Sequence, residues 1–199
     1  MNRLVSVAPM MDCTDRHERF FLRLISKNVH LYTEMIVDEA INRGDKKKLL
    51  QFNIKEKPVA LQLGGSSPKL LAEASKIGED FGYDEINLNL GCPSKKVEKN
   101  KFGACLMKEP DLVADCLIEM QSKTKLPVTI KTRIGYDNVE DYDNLHNFIS
   151  KLKSNKFLIL VNNFIKTKSV MYVWIKGSIL DSEKRYYLFA LKSYKNKNN

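Results

Sequence analysis

The chain has 199 residues, of which 43% are hydrophobic and 29% charged, so we expect a globular body rather than a disordered protein. It has no apolar run near 18 residues and no secretory leader, which predicts an intracellular protein of the cytoplasm or an organelle, without a membrane span. The net charge is +9, but residues 151–199 hold 11 Lys and Arg against 2 Asp and Glu, leaving residues 1–150 neutral. The overall charge is therefore weak evidence that the body binds nucleic acid.

Short β-rich runs alternate with helical patterns through the first 150 residues. In chain order the candidate strands are 4–10, 31–35, 58–63, 85–91 and 128–134. The helical patterns are 15–26, 37–43, 68–81, 111–122 and 140–151. This alternation predicts βαβ units and a parallel sheet, in either a doubly wound sheet or most of a TIM barrel.

The pattern of the first helix separates apolar from basic side chains. We expect its apolar side chains to be buried, namely Phe20, Phe21, Leu24 and Ile25. Another face carries Arg16, Arg19 and Arg23. These arginines either contact RNA phosphates or form a solvated helix face, and the pattern alone does not distinguish the two.

The later strands carry polar side chains on one face. Alternation places Lys131 and Arg133 on the same face of the fifth strand, and Asn87 and Asn89 on the same face of the fourth. Gln62 is the polar residue of the third strand. A doubly wound sheet needs apolar residues on both faces, whereas a barrel interior opens into an active site. We therefore predict an α/β TIM barrel.

Five segments resemble successive blocks of the tRNA-dihydrouridine synthase family. They are VAPMMDCTDRH at 7–17, LYTEM at 31–35, VALQLGGS at 59–66, DEINLNLGCPS at 84–94 and VTIKTR at 128–133. FGACLM at 102–107 and the Asp-Arg-His triplet at 15–17 are most similar to the A-type subfamily. The resemblance runs from about residue 5 to about residue 150 and implies a TIM barrel that stops matching after five or six β/α units.

The resemblance implies an oxidoreductase that reduces the C5=C6 bond of uridine in tRNA, with FMN as cofactor and NADPH as reductant. By resemblance the proton donor is Cys92, which follows the fourth strand. A cysteine thiol in water is mostly protonated at neutral pH, which suits this role. Without the resemblance, Cys92 would be interpreted as a small core cysteine.

Further residues are assigned to the cofactor by the same resemblance. Lys131 matches a lysine that contacts the flavin, where a cation would stabilise the reduced anionic form. Gln62 is expected to hydrogen-bond the isoalloxazine ring, and Pro9, Met10 and Met11 are expected to line it. Without the family match, these residues would be interpreted as ordinary barrel packing.

The expected contacts with tRNA are less specific. Asn89 matches a position that contacts the target nucleotide, although Asn87 is as good a candidate on physical grounds alone. Arg133 is expected to approach either the flavin or an RNA phosphate. Lys95 and Lys96, in the loop after the cysteine, are expected to meet phosphates of tRNA.

Two other features favour structural interpretations. Gly-Gly-Ser-Ser at 64–67 resembles a phosphate-binding loop, but barrel phosphate sites normally follow strands seven and eight, so we predict a strand-to-helix turn. The four cysteines have no CxxC spacing, and the three histidines form no ligand pair with them. We therefore expect no metal site.

The resemblance ends after residue 150. The stretch 157–164 has the apolar character of a sixth strand, but Asn162 and Asn163 stand where the family has His-Ala-Arg. Strands seven and eight with their FMN-phosphate loops, and the helical C-terminal domain, find no counterpart. We therefore interpret residues 1–150 as a partial catalytic barrel and residues 151–199 as a divergent Lys- and Asn-rich tail.

The tail has an unusual composition, since Ile, Lys, Asn, Phe and Tyr supply 27 of its 49 residues. These amino acids have AT-rich codons, so one hypothesis is a translated intron or a frameshift, and the other is a basic tail that binds RNA. An open arc of strands would expose edges and apolar faces and lack the phosphate pocket. We therefore expect this polypeptide alone to bind FMN weakly or not at all.

Two rival functions remain. One is another FMN-dependent barrel reductase, such as a dihydroorotate or enoate reductase, in which we would not expect this cysteine motif together with Lys-Thr-Arg. The other is a truncated, non-catalytic protein whose basic loop and tail bind RNA. The oligomeric state and the tRNA position are not indicated by the sequence.

Overall fold

Strands and helices alternate in the computed structural model of the chain. It describes residues 6–133, 135–136, 142–152, 158–164 and 170–175, the last two ranges as backbone. The strands are β1 (Leu31–Tyr32), β2 (Ile36–Val37), β3 (Val59–Gly64), β4 (Glu85–Leu90), β5 (Val128–Arg133), β6 (Leu158–Phe164) and β7 (Val170–Ile175). The helices are α1 (Arg16–Ile25), α2 (Asp38–Arg43), α3 (Lys46–Leu50), α4 (Pro68–Asp80), α5 (Lys95–Lys99), α6 (Pro110–Lys123) and α7 (Tyr142–Leu152), with 3-10 turns at Ile54–Glu56 and Gly103–Lys108.

The order of the strands agrees with a barrel. The sheet runs β1-β3-β4-β5-β6 with every neighbouring pair parallel, and β2 pairs with β3 beyond the end of β1. A doubly wound sheet reverses its strand order at a switch point, and the order of these parallel strands does not reverse. The connecting helices pack in the same succession, α2 on α4, α4 on α6 and α6 on α7.

The two faces of the sheet have different chemistry. One face packs against the helices in the main hydrophobic core, where a Cβ on Gly78 of α4 would lie 2.7 Å from Leu61 and 2.8 Å from Ile86. The other face carries Gln62, Asn87 and Thr129 side by side across three strands. Helices cover one face and polar side chains occupy the other, as predicted for the interior of a barrel.

The predicted sixth strand is present, but the next strand departs from barrel topology. β6 pairs in parallel with β5, while β7 runs antiparallel to β6. Only residues 165–169 separate the two strands in sequence, whereas a parallel crossover needs a dozen or more residues. The short connection therefore forces β6 and β7 into a hairpin.

The first predicted strand, 4–10, is reduced to a single bridge within the described residues. Ser6 pairs in parallel with His30, and the Val7 N–H donates to the His30 carbonyl at 2.9 Å. Residues 1–5 lie outside the described part of the chain. Of the second predicted strand, 31–35, only Leu31–Tyr32 forms a strand (β1), and β2 begins just beyond the predicted range, at Ile36.

The prediction for the faces of α1 was wrong. Phe21, Leu24 and Ile25 are 60%, 68% and 66% exposed, whereas Arg19 and Arg23 are buried. The reason lies in the segment before β3. Arg19 forms a 2.7 Å ion pair with Glu56, a carboxylate that is fully buried.

Arg23 completes this arrangement by donating to backbone carbonyls. Its guanidinium reaches the carbonyl oxygens of Glu56 and Pro58 at 3.0 Å, and those of Ser26 and Lys27 at 3.1 and 2.8 Å. Because both arginines are occupied inside the protein, the proposed phosphate contact applies only to Arg16, which is exposed. No described helix has the length and apolar content to cross a bilayer.

Candidate functional site

A cavity of about 840 Å³ opens where the parallel strands end. Its walls come from the segment around residues 9–11, the residues after β2 and β3, the loop after β4 and the end of β5. Cavities of this size and position hold small-molecule ligands in α/β proteins. The lining is largely apolar, with Met10, Met35 and Phe102 among its residues and a few polar side chains between them.

Cys92 lies in this cavity on a loop that is fixed through its backbone. The Asn89 side-chain oxygen accepts hydrogen bonds from the N–H groups of Gly91 and Cys92, both at 3.0 Å. The Cys92 carbonyl accepts the Ala104 N–H at 3.0 Å. The backbone at Cys92 is therefore held in position, and the residue is only partly buried.

Gly103 allows the 3-10 turn to approach the Cys92 loop. Its φ is +77°, and a Cβ there would lie 2.5 Å from the Val97 side chain and 2.8 Å from the Cys92 carbonyl oxygen. Both the positive φ and the close approach favour glycine. The FGACLM segment therefore supports the loop that carries the cysteine.

A network of side-chain amides lies beneath the cavity. Gln62 donates to Asn87 at 2.7 Å, and Asn89 donates to the Gln62 oxygen at 2.9 Å. Asn87 in turn donates to Thr129 at 2.7 Å. Gln62 and Asn89 each keep one amide N–H that no described residue accepts, and both line the cavity, so each can donate one hydrogen bond to a ligand.

Lys131 stands beside Cys92 and is half-buried. Its pKa is lowered from 10.5 to about 8, mainly by burial and in part by the neighbouring Arg133, while Cys92 acts in the opposite direction. Asn89 and Lys131 are paired across β4 and β5, which brings the lysine under the Cys92 loop. Cys92 and Lys131 therefore face the same cavity from the same side of the sheet.

Nine of the ten residues selected from the sequence line this single cavity. They are Pro9, Met10, Met11, Gln62, Asn89, Cys92, Lys96, Lys131 and Arg133. The tenth, Lys95, is exposed on α5 and is not part of the cavity wall. Asn87 lies deeper, fully buried within the amide network.

The sequence did not indicate Asp38, the first residue of α2. Its side chain is 3% exposed, and burial raises its pKa from 3.8 to about 6. Its position directly after β2 was a usable signal, since it occupies the end of a parallel strand. The helical pattern predicted at 37–43 included this residue without singling it out.

The glycine-serine segment forms the predicted turn. Gly64 ends β3, and the Ser67 hydroxyl caps α4 by accepting the Leu70 N–H at 3.4 Å. A Cβ on Gly65 would collide with the carboxyl group of Asp38. Within the described residues, no three His, Cys, Asp or Glu side chains gather in a way that would hold a metal ion.

Comparison with known proteins places the chain in a family. Residues 6–156 match the dihydrouridine synthase family, and the match covers well over half of the chain. The chain belongs to the dihydrouridine synthase family. The fold of this family is a TIM barrel, and the parallel strands described above form part of such a barrel.

Curated relatives within the dihydrouridine synthases are named tRNA-dihydrouridine(20/20a) synthases. The Synechocystis sp. protein is 58% identical over 145 residues, which is 73% of this chain and 43% of that protein. The Xanthomonas axonopodis pv. citri protein is 51% identical over 173 residues, 87% of this chain and 50% of that protein. The chain thus spans about half the length of these relatives or less.

Proposed function

We propose that this chain contributes the proton-donating part of a site that reduces uridine in tRNA to dihydrouridine. The placement of Cys92 and Lys131 in one cavity at the ends of neighbouring parallel strands supports this proposal most strongly. Membership of the dihydrouridine synthase family supports the substrate class. The names of the relatives point to tRNA as the partner.

In this proposal Cys92 is the acid. Its thiol gives a proton to one carbon of the uracil C5=C6 bond while hydride arrives at the other, and the sulfur is left as a thiolate. The Lys131 ammonium would stabilise that thiolate, because the two side chains are close enough to interact electrostatically. Asn89 acts as a positioning residue, since its side-chain oxygen holds the two backbone N–H groups of the loop.

The cavity also fits a flavin ring. Pro9, Met10 and Met11 offer an apolar wall, Gln62 offers an amide N–H, and Lys131 offers a cation. Bound FMN, with NADPH as its reductant, would supply the hydride. The residues of this chain would orient the ring, hold the thiol beside it and exclude water from the space between them.

The tRNA is expected to approach from the side of the Cys92 loop. Lys96 lines the rim of the cavity, and Lys95 precedes it on the exposed surface of α5. Both cations suit phosphate contacts, and the target base would have to leave its stack to enter the cavity. Arg133, inside the cavity wall, would contact either the flavin or a phosphate.

The function is tested by complementation in cells that lack their own dihydrouridine. The chain is expressed alone, and together with the part of the Synechocystis relative that it does not span. Dihydrouridine in tRNA is measured by mass spectrometry. We expect dihydrouridine from the pair, with a loss of at least about a hundredfold for Cys92→Ala, as for removal of a general acid.

Cys105→Ala is the matched control, because Cys105 is a second partly buried cysteine outside the cavity wall. It should leave the dihydrouridine level within about twofold. A pair that assembles but leaves dihydrouridine absent contradicts the proposal. tRNA binding without any dihydrouridine would instead support the non-catalytic RNA-binding alternative.

A further inference from the structure

Asp38 is a buried carboxyl group with an unused oxygen in the wall of the cavity. Its Oδ1 atom accepts the Glu39 N–H at 2.7 Å, whereas Oδ2 is buried without a hydrogen-bond partner among the described residues. Burying a carboxylate oxygen without a donor is costly. Such a cost is common at functional sites, where the missing donor arrives with a ligand.

The surroundings hold this carboxyl group in place. Gly65, the residue after β3, lies so close that a Cβ on it would strike the Asp38 carboxyl group. Asn42, one turn further along α2, donates to the carbonyls of Asp38 and Leu70 at 2.9 and 3.0 Å and so ties α2 to α4. The Asp38 carboxyl group is therefore held between the first turn of α2 and the segment that precedes α4.

The cavity has chemically different ends. Lys96, Lys131 and Arg133 occupy the part after β4 and β5, whereas Asp38 and Glu39 follow β2. The ends of β2 and β4 are separated by β3, so Asp38 and Cys92 are roughly two strand spacings, about 10 Å, apart. An anionic group such as phosphate would be repelled from the Asp38 end, which is suited to an uncharged hydrogen-bond donor.

We propose that Asp38 accepts a hydrogen bond from a sugar-type hydroxyl group of the ligand, and so orients that ligand with its ring toward Cys92. This inference rests on the proposed function, which brings ligands with vicinal hydroxyl groups into the cavity. The hydroxyl group comes either from the ribose of the target nucleotide or from the ribityl chain of the flavin. Asp38 is then a determinant of binding, separate from the proton donor.

The test compares ligands that differ in their hydroxyl groups. Uridine is paired with 2′,3′-dideoxyuridine, and riboflavin with lumiflavin, which lacks the ribityl chain. Binding of each to the full chain is titrated by NMR, which detects weak complexes. We expect one hydroxylated ligand to bind about ten- to a hundredfold more tightly than its partner, the range for a hydrogen bond to a charged group.

Asp38→Leu should abolish that preference while leaving the affinity for the ligand without hydroxyl groups within about twofold. Asp38→Asn keeps the shape of the side chain and should reduce the preference for the hydroxylated ligand to about threefold. It replaces Asp38→Leu as the test if the leucine variant fails to fold. Asp115→Asn on α6 is the control, because it removes the same charge from an exposed position. The pair that shows the effect identifies the source of the hydroxyl group.

The possible failures are distinguishable. If uridine or riboflavin binds and the preference for hydroxyl groups survives in the Asp38 variants, the inference is overturned and the proposed function stands. Equal weakening of both members of a pair would also overturn it, because Asp38 would then act on the ring. If neither ligand binds the full chain at all, the inference is overturned, whereas the proposed function is decided separately by dihydrouridine formation in the complemented cells.

Discussion

Cys92 is positioned by main-chain hydrogen bonds, with Asn89 accepting two N–H groups and Ala104 donating to its carbonyl. This arrangement leaves the thiol hydrogen available to a ligand. The residue motif predicted a cysteine at a strand end, because GCPS follows a β-pattern directly. The sequence could not show that Asn89 serves the loop as well as the cavity, since both roles depend on the pairing of β4 with its neighbours.

Asp38 should reduce the stability of the folded chain at neutral pH. Burial raises its pKa from 3.8 to about 6, so between these values the unfolded chain loses this proton first and the folded state loses stability as the pH rises. The loss of folding stability reaches about 3 kcal/mol once the pH is well above 6. Asp38→Asn should therefore raise the free energy of unfolding by about 2–3 kcal/mol at pH 8 and by little at pH 4.

Urea denaturation at the two pH values checks this expectation. Asp115→Asn, at an exposed position, should change the free energy of unfolding by less than about 0.5 kcal/mol at either pH. Equal stability of Asp38→Asn and the parent chain at pH 8 would show that the Asp38 carboxylate has a partner in solution.

At the level of elements, α1 shows the limit of an amphipathic pattern. The pattern separates arginines from apolar side chains correctly, but it does not say which set meets the protein. Glu56 determines which face of α1 is buried. It lies 37 residues from Arg19, and its buried carboxylate requires a cation as partner. The ordinary preference for burying Phe21 and Leu24 is overridden in this structure because the arginines satisfy buried acceptors.

Arg19→Met tests this orientation. Removing one partner of a buried ion pair should lower the free energy of unfolding by about 3–5 kcal/mol, measured by urea denaturation. Arg16→Met, in an exposed position on the same helix, should cost less than about 0.5 kcal/mol. Leu24→Ala should also cost less than about 1 kcal/mol, because Leu24 is 68% exposed. A loss of several kcal/mol for Leu24→Ala would instead restore the orientation expected from the sequence.

Gly103→Ala tests the support of the Cys92 loop by the 3-10 turn. The added Cβ is strained at this left-handed position and clashes with Val97 and Cys92. We expect the two effects together to lower the free energy of unfolding by about 2–4 kcal/mol. The labelling rate of Cys92 by a thiol reagent, followed by mass spectrometry, should change as well. Gly82→Ala has a φ of +90° but nothing within 4 Å of the added Cβ, so it should cost only about 1 kcal/mol. Equal costs for the two variants would contradict the close approach.

For the whole molecule, the cavity unites segments from residue 9 to residue 133 at one edge of the sheet. This assembly follows from parallel pairing, which brings the ends of successive strands together. The expectation drawn from the resemblance, that FMN-phosphate loops follow strands seven and eight and have no counterpart here, stays a prediction. The described β7 instead closes an antiparallel hairpin with β6.

The 199-residue polypeptide, expressed alone, should therefore bind FMN no more tightly than riboflavin. The two affinities should agree within about threefold, because a phosphate site would add charge-assisted hydrogen bonds worth tenfold or more. Fluorescence titration of both flavins against the purified chain measures the ratio. A yellow protein purified with flavin near stoichiometry would contradict this expectation.

The sequence by itself determined the β/α alternation, the polar face of the strands and nine residues of one cavity, because these depend on local periodicity and on motifs at strand ends. Tertiary structure alone decided three other features. These are the burial of Arg19 against Glu56, the hairpin of β7 and the trapped carboxyl group of Asp38 beside Gly65. Each depends on the distance between segments that are separate in the chain, and neither periodicity nor composition records such distances.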